Sequence, residues 1–253
     1  MAIAMALALA ALAWLGWEQG FHGDEWDYIQ DAPHIDLHAM FVPRNGHWST
    51  IPIFIYNVLL RTVGLGSYLP YLLVAQLMHL ACVALTVVLI RRRAGDALAL
   101  VAGVILLFFG NGVDNILWAF QVGFLGSILF GLVAWILVDD VRGGGWRWIG
   151  ASLALVLSLM SSGVGVTFCM AIGLDLLLDR TRRRHLVVMV VPAAAFLAWF
   201  FSVGPGLGLS SGNAVKATAS ITASRLTAPL KLTAIGVGAA ILSALGIYRG
   251  VAG

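Results

Sequence analysis

Charge is what this chain has least of. Of its 253 residues, 15 are Lys or Arg and 12 are Asp or Glu, so charged residues make up 11%, against roughly 25% in a soluble domain. Hydrophobic residues reach 60%, and the mean hydropathy is +0.95. These figures exclude a soluble domain with an ordinary core and leave an integral membrane protein. The residue-by-residue alternation of a transmembrane barrel is also missing, so helices are the only spanning solution. The net charge of +3 does not signal nucleic acid, because most Arg residues flank apolar runs, where they act as topology signals. Cysteine is scarce as well. Cys82 and Cys169 both fall inside apolar runs, which argues against a disulfide framework or a CxxC metal site and makes them small packing residues. There is no Walker sequence, no GxSxG and no HExxH. The sustained intramembrane charge of a proton-driven pump is absent too.

What is present is a series of apolar runs, enough for about eight spanning helices of ~20 residues each. They cover 1–17, 68–90, 96–110, 116–138, 146–161, 164–179, 185–203 and 229–248. The expected fold is therefore all-α: a polytopic helical membrane protein forming a single transmembrane domain over 1–253, with a large first extracytoplasmic loop at 18–67 and another loop at 204–228. The first run has no basic residues ahead of it, so it reads as a span rather than a signal peptide, and the N-terminus is expected to lie upstream. The segment 50–64 is apolar but holds Asn57 and Arg61, which suits a helix lying along the interface.

Arginine sets the orientation. Arg91–Arg93, Arg142 with Arg147, and Arg180 with Arg182–Arg184 face the cytoplasm in the arrangement that places 10 basic residues inside and five outside. The same rule breaks 146–179 into a hairpin at Ser161-Ser162-Gly163-Val164-Gly165, since one continuous helix would carry the last Arg cluster outside. Each arm spans only about 24 Å at 1.5 Å per residue. Its polar turn must then be buried in protein or line a wet cavity opening outward.

Polar chemistry concentrates in the first loop. Six of the 12 acids (Glu18, Asp24, Glu25, Asp27, Asp31, Asp36) and four of the six His (His22, His34, His38, His47) lie there. Asp24-Glu25-Trp26-Asp27 emerges just after the first span, at the level of lipid headgroups. Adjacent carboxylates in such a place can act as a general base, bind a metal or orient a sugar hydroxyl. They can also form a plain solvated loop. Trp26 and Tyr28 suit a sugar face or an interfacial aromatic belt. His34, Asp36 and His38 share a face on a strand, and the two His share one on a helix, so a divalent metal is an option there; no other cofactor is indicated. Pro43-Arg44-Asn45-Gly46-His47-Trp48 contains a turn signal, with Arg44 and His47 available to a phosphate or merely preceding a helix capped by Ser49 or Thr50. Asp114, in the outer loop 110–115, and Gln121, in the next span, are candidates because polar groups near membrane depth are costly. Gln76 and His79 share a face of the second span and suit interhelical hydrogen bonds.

The order of these features resembles the polytopic membrane glycosyltransferases of the C-type (GT-C) fold, and more closely their uncharacterised bacterial members. The resemblance rests on Asp24-Glu25-Trp26-Asp27, Asn45-Gly46-His47-Trp48, Gly110-Asn111-Gly112, Phe120-Gln121-Val122-Gly123-Phe124 and Ser161-Ser162-Gly163-Val164-Gly165. It implies a multi-pass protein of the plasma or inner membrane that transfers a sugar from a polyprenyl-phosphate donor to an acceptor outside. By the same resemblance Asp24 is the catalytic base and Glu25 its partner. Trp26, Asp27, Arg44, Asn45, His47, Asp114 and Gln121 would bind substrate, with Arg44 and His47 on the donor phosphate. The bilayer and the lipid-linked sugar are the expected partners. Such enzymes usually have more spans, so the chain is expected to be a truncated or reduced member. A transporter or flippase, or a non-catalytic scaffold subunit, are the competing readings.

Overall fold

A computed structural model of the protein describes residues 2–108, 112, 116–139 and 145–203. The expected span 229–248, the loop 204–228 and Asp114 lie outside the described residues. Among the described residues every regular element is helical, and the one extended pairing is an isolated bridge between Arg44 and His47.

The helices are α1 (Ala2–Leu15), α2 (Glu25–Asp31), α3 (Thr50–Thr62), α4 (Leu69–Ala94), α5 (Asp96–Leu107), α6 (Val122–Asp139), α7 (Gly145–Leu159), α8 (Val164–Leu178) and α9 (Val190–Val203). A 3-10 turn, Ala119–Gln121, leads into α6, and another, Arg183–Met189, leads into α9. Three stretches are long and apolar enough to cross a membrane: Leu69–Ala94, Ala119–Asp139 and Arg183–Val203. The helices α1, α3, α5, α7 and α8 are apolar but shorter, at 12 to 15 residues. At 1.5 Å per residue that is about 18–22 Å, against a hydrocarbon layer of ~30 Å.

Local chemistry accounts for the longest helix. Pro70 sits in the first turn of α4, where its missing N–H costs nothing, and Arg91, Arg92 and Arg93 sit in the last, where the helix dipole favours cations. Gly95, at φ 85°, ends α4 in a conformation that other residues resist, and Asp96 opens α5 and pairs back to Arg91.

The helices meet through small residues. Gly123, Gly126, Ser127, Gly131 and Ala134 form a stripe on α6 that lets neighbouring backbones approach. Ser127 Oγ donates to the Ser158 carbonyl and Ser158 Oγ to the Ser127 carbonyl, both at 2.7 Å, stitching α6 to α7. The expected hairpin is present: α7 ends at Leu159, Gly163 caps α8, and the chain returns so that the His185 ring lies 5.0 Å from Trp148 near the start of α7.

Charge separates along the bundle. Tyr68, at one end of α4, meets the acidic loop through Glu25, while Arg93, at the other end, donates to Asp139 at 2.9 Å. Arg182 lies against Asp139 at 3.6 Å and Asp175 at 3.1 Å. The two ends are thus about 39 Å apart, the length of α4. Among the described residues the first end holds six acids and two Arg, and the second holds eight Arg and four Asp.

Candidate functional site

The acid pair splits. Gly23, at φ 58°, turns the chain into α2, and Glu25, the first residue of that helix, points inward and is fully buried. Its carboxylate accepts hydrogen bonds from Tyr56 OH at 2.5 Å, Tyr68 OH at 3.2 Å and the His22 N–H at 3.0 Å. Tyr68 OH in turn accepts from the Ala119 N–H at 2.8 Å. One carboxylate therefore ties α2 to α3, to the start of α4 and to the turn before α6. Tyr56 and Tyr68 belong to an apolar and aromatic cluster with Tyr28, Ile53, Tyr71, Leu72 and Val122. Burial, reinforced by the Glu25 charge, holds the Tyr56 hydroxyl well above the usual phenol range, so it remains a donor. Burial likewise pushes Tyr28 up to about 12, against an opposing hydrogen bond with Ser49.

Asp24 points the other way. It is exposed, and its Oδ2 accepts a hydrogen bond from Asn45 Nδ2 at 3.1 Å. Asn45 and Gly46 have φ of 49° and 75°, and the Arg44 and His47 backbones exchange hydrogen bonds at 3.0 and 2.8 Å. This is the type I′ turn that Asn-Gly favours. Its effect is to hold Asn45 over Asp24 while Arg44 and His47 look inward. Arg44 pairs with Asp31, and its buried Nε has no hydrogen-bond partner among the described residues. The His47 ring stands edge-on to Phe124 at 5.9 Å and packs so closely on Gly163 that an added Cβ there would lie 2.9 Å from Nδ1.

Arg44, Asn45 and His47 share a small cleft with Tyr28, Ser161 and Ser162, about 10 Å³ in volume. That is room for about one water. The polar turn of the α7–α8 hairpin is thus lodged against the first loop, as its burial required. A larger groove of about 700 Å³ begins one residue further on, lined by Phe41, Trp48, Ala195, Trp199 and Val203. Trp48 and Trp199 stack there at 5.1 Å and nearly parallel, their indole N–H groups donating to Thr50 Oγ1 and the Phe41 carbonyl.

Comparison of this chain with protein-family models, curated proteins and solved structures finds no match.

The other expected residues disperse. Trp26 and Asp27 are exposed on α2. Gln121 is buried in the 3-10 turn and is not part of the cleft wall. Asp114 lies outside the described residues. Among the described residues no group of three or more His, Cys, Asp or Glu is placed to hold a metal ion, and Asp36 instead accepts the Ala39 N–H at 2.7 Å. Ser49 occupies the N-cap position of α3 without a capping bond from its side chain. The Ile51 N–H goes to the Met160 carbonyl at 3.0 Å, which serves the end of α3 from the neighbouring hairpin. Gln76 is fully buried, yet among the described residues neither end of its amide is hydrogen-bonded, so the interhelical bond expected of it is not made; His79 lies near the Leu106 carbonyl of α5, and its buried Nε2 is likewise without a partner among the described residues.

Sequence reasoning missed Tyr56, Tyr68 and Asp31. No local pattern marks them, because their partners lie 31, 43 and 13 residues away.

Proposed function

We propose that this protein is a multi-pass membrane glycosyltransferase of the plasma or inner membrane, with about eight spans and a GT-C-like arrangement, using a sugar carried on a polyprenyl phosphate. The observation that supports it most is the adjacency of an exposed acid, a small polar cleft lined by Arg44 and His47, and an apolar groove. Asp24 faces solvent at the acidic end of the bundle, beside Asn45. Arg44 and His47 line the cleft, and the next residue, Trp48, lines the groove. An amphipathic donor follows that order if its phosphate sits at the mouth of the cleft and displaces Asp31 from Arg44, its chain along Trp48 and Trp199 and its sugar toward Asp24. Charge-assisted hydrogen bonds from a guanidinium suit phosphate.

On this reading Asp24 is the general base that takes the proton from the acceptor hydroxyl. Glu25, sealed behind the tyrosines, is a positioning residue that fixes the start of α2. Trp26 and Asp27 are left for the acceptor on the outer face. Asp24→Ala is expected to lower transfer of radiolabelled sugar from polyprenyl-phosphate donors by about 10²-fold or more in membranes expressing the chain, with folding unchanged. Equal transfer by wild type and Asp24→Ala would overturn the assignment.

A second reading has its own support. The cleft beside Arg44 and His47 is only about 10 Å³, which suits a non-catalytic subunit that scaffolds a larger enzyme. No transfer by the wild type, together with stable co-purification of a larger transferase, would favour it.

A further inference from the structure

At the arginine-rich end, far from the acidic loop, α7 and α9 leave an apolar groove of about 290 Å³ between them, bounded by Trp148, Ile149, Leu153, Val187 and Val191. Ile149, Leu153, Val187 and Val191 are each more than half exposed, so the groove opens sideways, along the surface that a bilayer would cover. Its upper wall leads directly to charge. Trp148 packs against His185, and Arg184 Nε lies 3.3 Å from His185 Nε2. Arg183 and Arg184 are exposed, and among the described residues neither forms an ion pair with an acid; Arg183 Nε donates to the Leu177 carbonyl at 2.9 Å, which leaves its outer guanidinium nitrogens for a headgroup. At this end Asp175 and Asp139 are engaged by Arg182, and Asp179 by Thr181.

We infer that this groove holds one anionic phospholipid of the adjoining leaflet, an acyl chain lying along Leu153 and Val191 and the headgroup phosphate meeting Arg183 and Arg184. Charge complementarity selects the occupant. A zwitterionic lipid fills the apolar part equally well but leaves the excess of Arg uncompensated, and each basic residue near a membrane surface favours anionic lipid. The inference needs only insertion in a bilayer and does not rest on sugar transfer.

The test is native mass spectrometry of the detergent-purified protein titrated with phosphatidylglycerol or phosphatidylcholine of identical acyl chains. Wild type is expected to bind phosphatidylglycerol about tenfold or more tightly than phosphatidylcholine. The double variant Arg183→Ala/Arg184→Ala should lose that preference, whereas Arg91→Ala/Arg92→Ala should keep it. Leu153→Trp, which fills the groove, should weaken both lipids. Should the double variant fail to fold, the wild type still decides: its preference must shrink as salt rises. Equal affinity for the two lipids, a preference that survives in the double variant, or one indifferent to salt would overturn the inference. Glycerol phosphate alone displacing the lipid would do the same, by showing a headgroup site without the groove.

Discussion

Asp24 and Glu25 are neighbours in the chain, and about 100° of helical rotation separates the directions their side chains take. That rotation divides one acidic motif into an exposed group and a buried one. The consequence is measurable on the tyrosines. Tyr56→Phe removes the 2.5 Å donor to a fully buried carboxylate and is expected to cost about 1.5–3 kcal/mol, read as a lowered Tm in detergent. Tyr71→Phe, which removes a 3.0 Å bond to the Gly64 carbonyl, should cost about 1 kcal/mol. Equal losses would deny Glu25 its special place. Tyr28 carries a pH signature. Its folded pKa is raised to about 12 from the usual 10.0, so its contribution is complete below about pH 10 and is lost as pH climbs through 12. The loss amounts to ~2–3 kcal/mol. Base titration followed by tyrosinate absorbance should show an ionisation near pH 12 tied to unfolding, smaller by one tyrosine in Tyr28→Phe, while the more strongly held Tyr56 and Tyr68 hydroxyls ionise only as the fold is lost.

Among the elements, the α7–α8 hairpin is the one whose shape the sequence announced most clearly. Two serines and two glycines interrupt an apolar run, and the positive-inside rule forbids reading it as one helix. The reason those glycines are needed became visible only in the packing. A Cβ on Gly165 would fall 2.5–2.6 Å from the backbone of Ser158 and Leu159, which cannot give way as a side chain can. Gly165→Ala should therefore destabilise by about 1–3 kcal/mol or more, as overpacking does. Gly150→Ala, whose Cβ would meet only the tip of Leu137 at 3.2 Å, should be nearly neutral. Thermal unfolding of the two variants separates these outcomes. The capping of α3 could not be foreseen in the same way. Ser49 stands where a cap belongs, but the carbonyl that serves the helix end comes from Met160, more than a hundred residues along the chain.

At the scale of the molecule, the segregation of charge is the property with the longest reach. Arg93, Asp139, Asp175 and Arg182 draw α4, α6 and α8 together at one end, and the acidic loop gathers at the other. The positive-inside rule predicts that the arginine end faces the cytoplasm. In a background with Cys82 and Cys169 replaced by Ser, Asn45→Cys should react with a membrane-impermeant maleimide on intact cells. Arg180→Cys should react only after permeabilisation. The reverse pattern would invert the topology and with it the placement of the proposed transfer reaction.

The sequence by itself determined the helical class, the apolar exterior, the break in the hairpin, the Asn-Gly turn and the opposition of acid and arginine. Each follows from composition or from residues a few positions apart, where local backbone preference and hydration decide the outcome. Only the tertiary structure decided which acid is buried, that Gln121 leaves the cleft wall while Arg44 and His47 stay in it, and that Gln76 finds no hydrogen-bond partner among the described residues. Those outcomes depend on surfaces contributed by distant segments. Glu25 is held from residues 31 and 43 positions away, and whether a polar side chain faces water or a neighbour is settled by what packs over it.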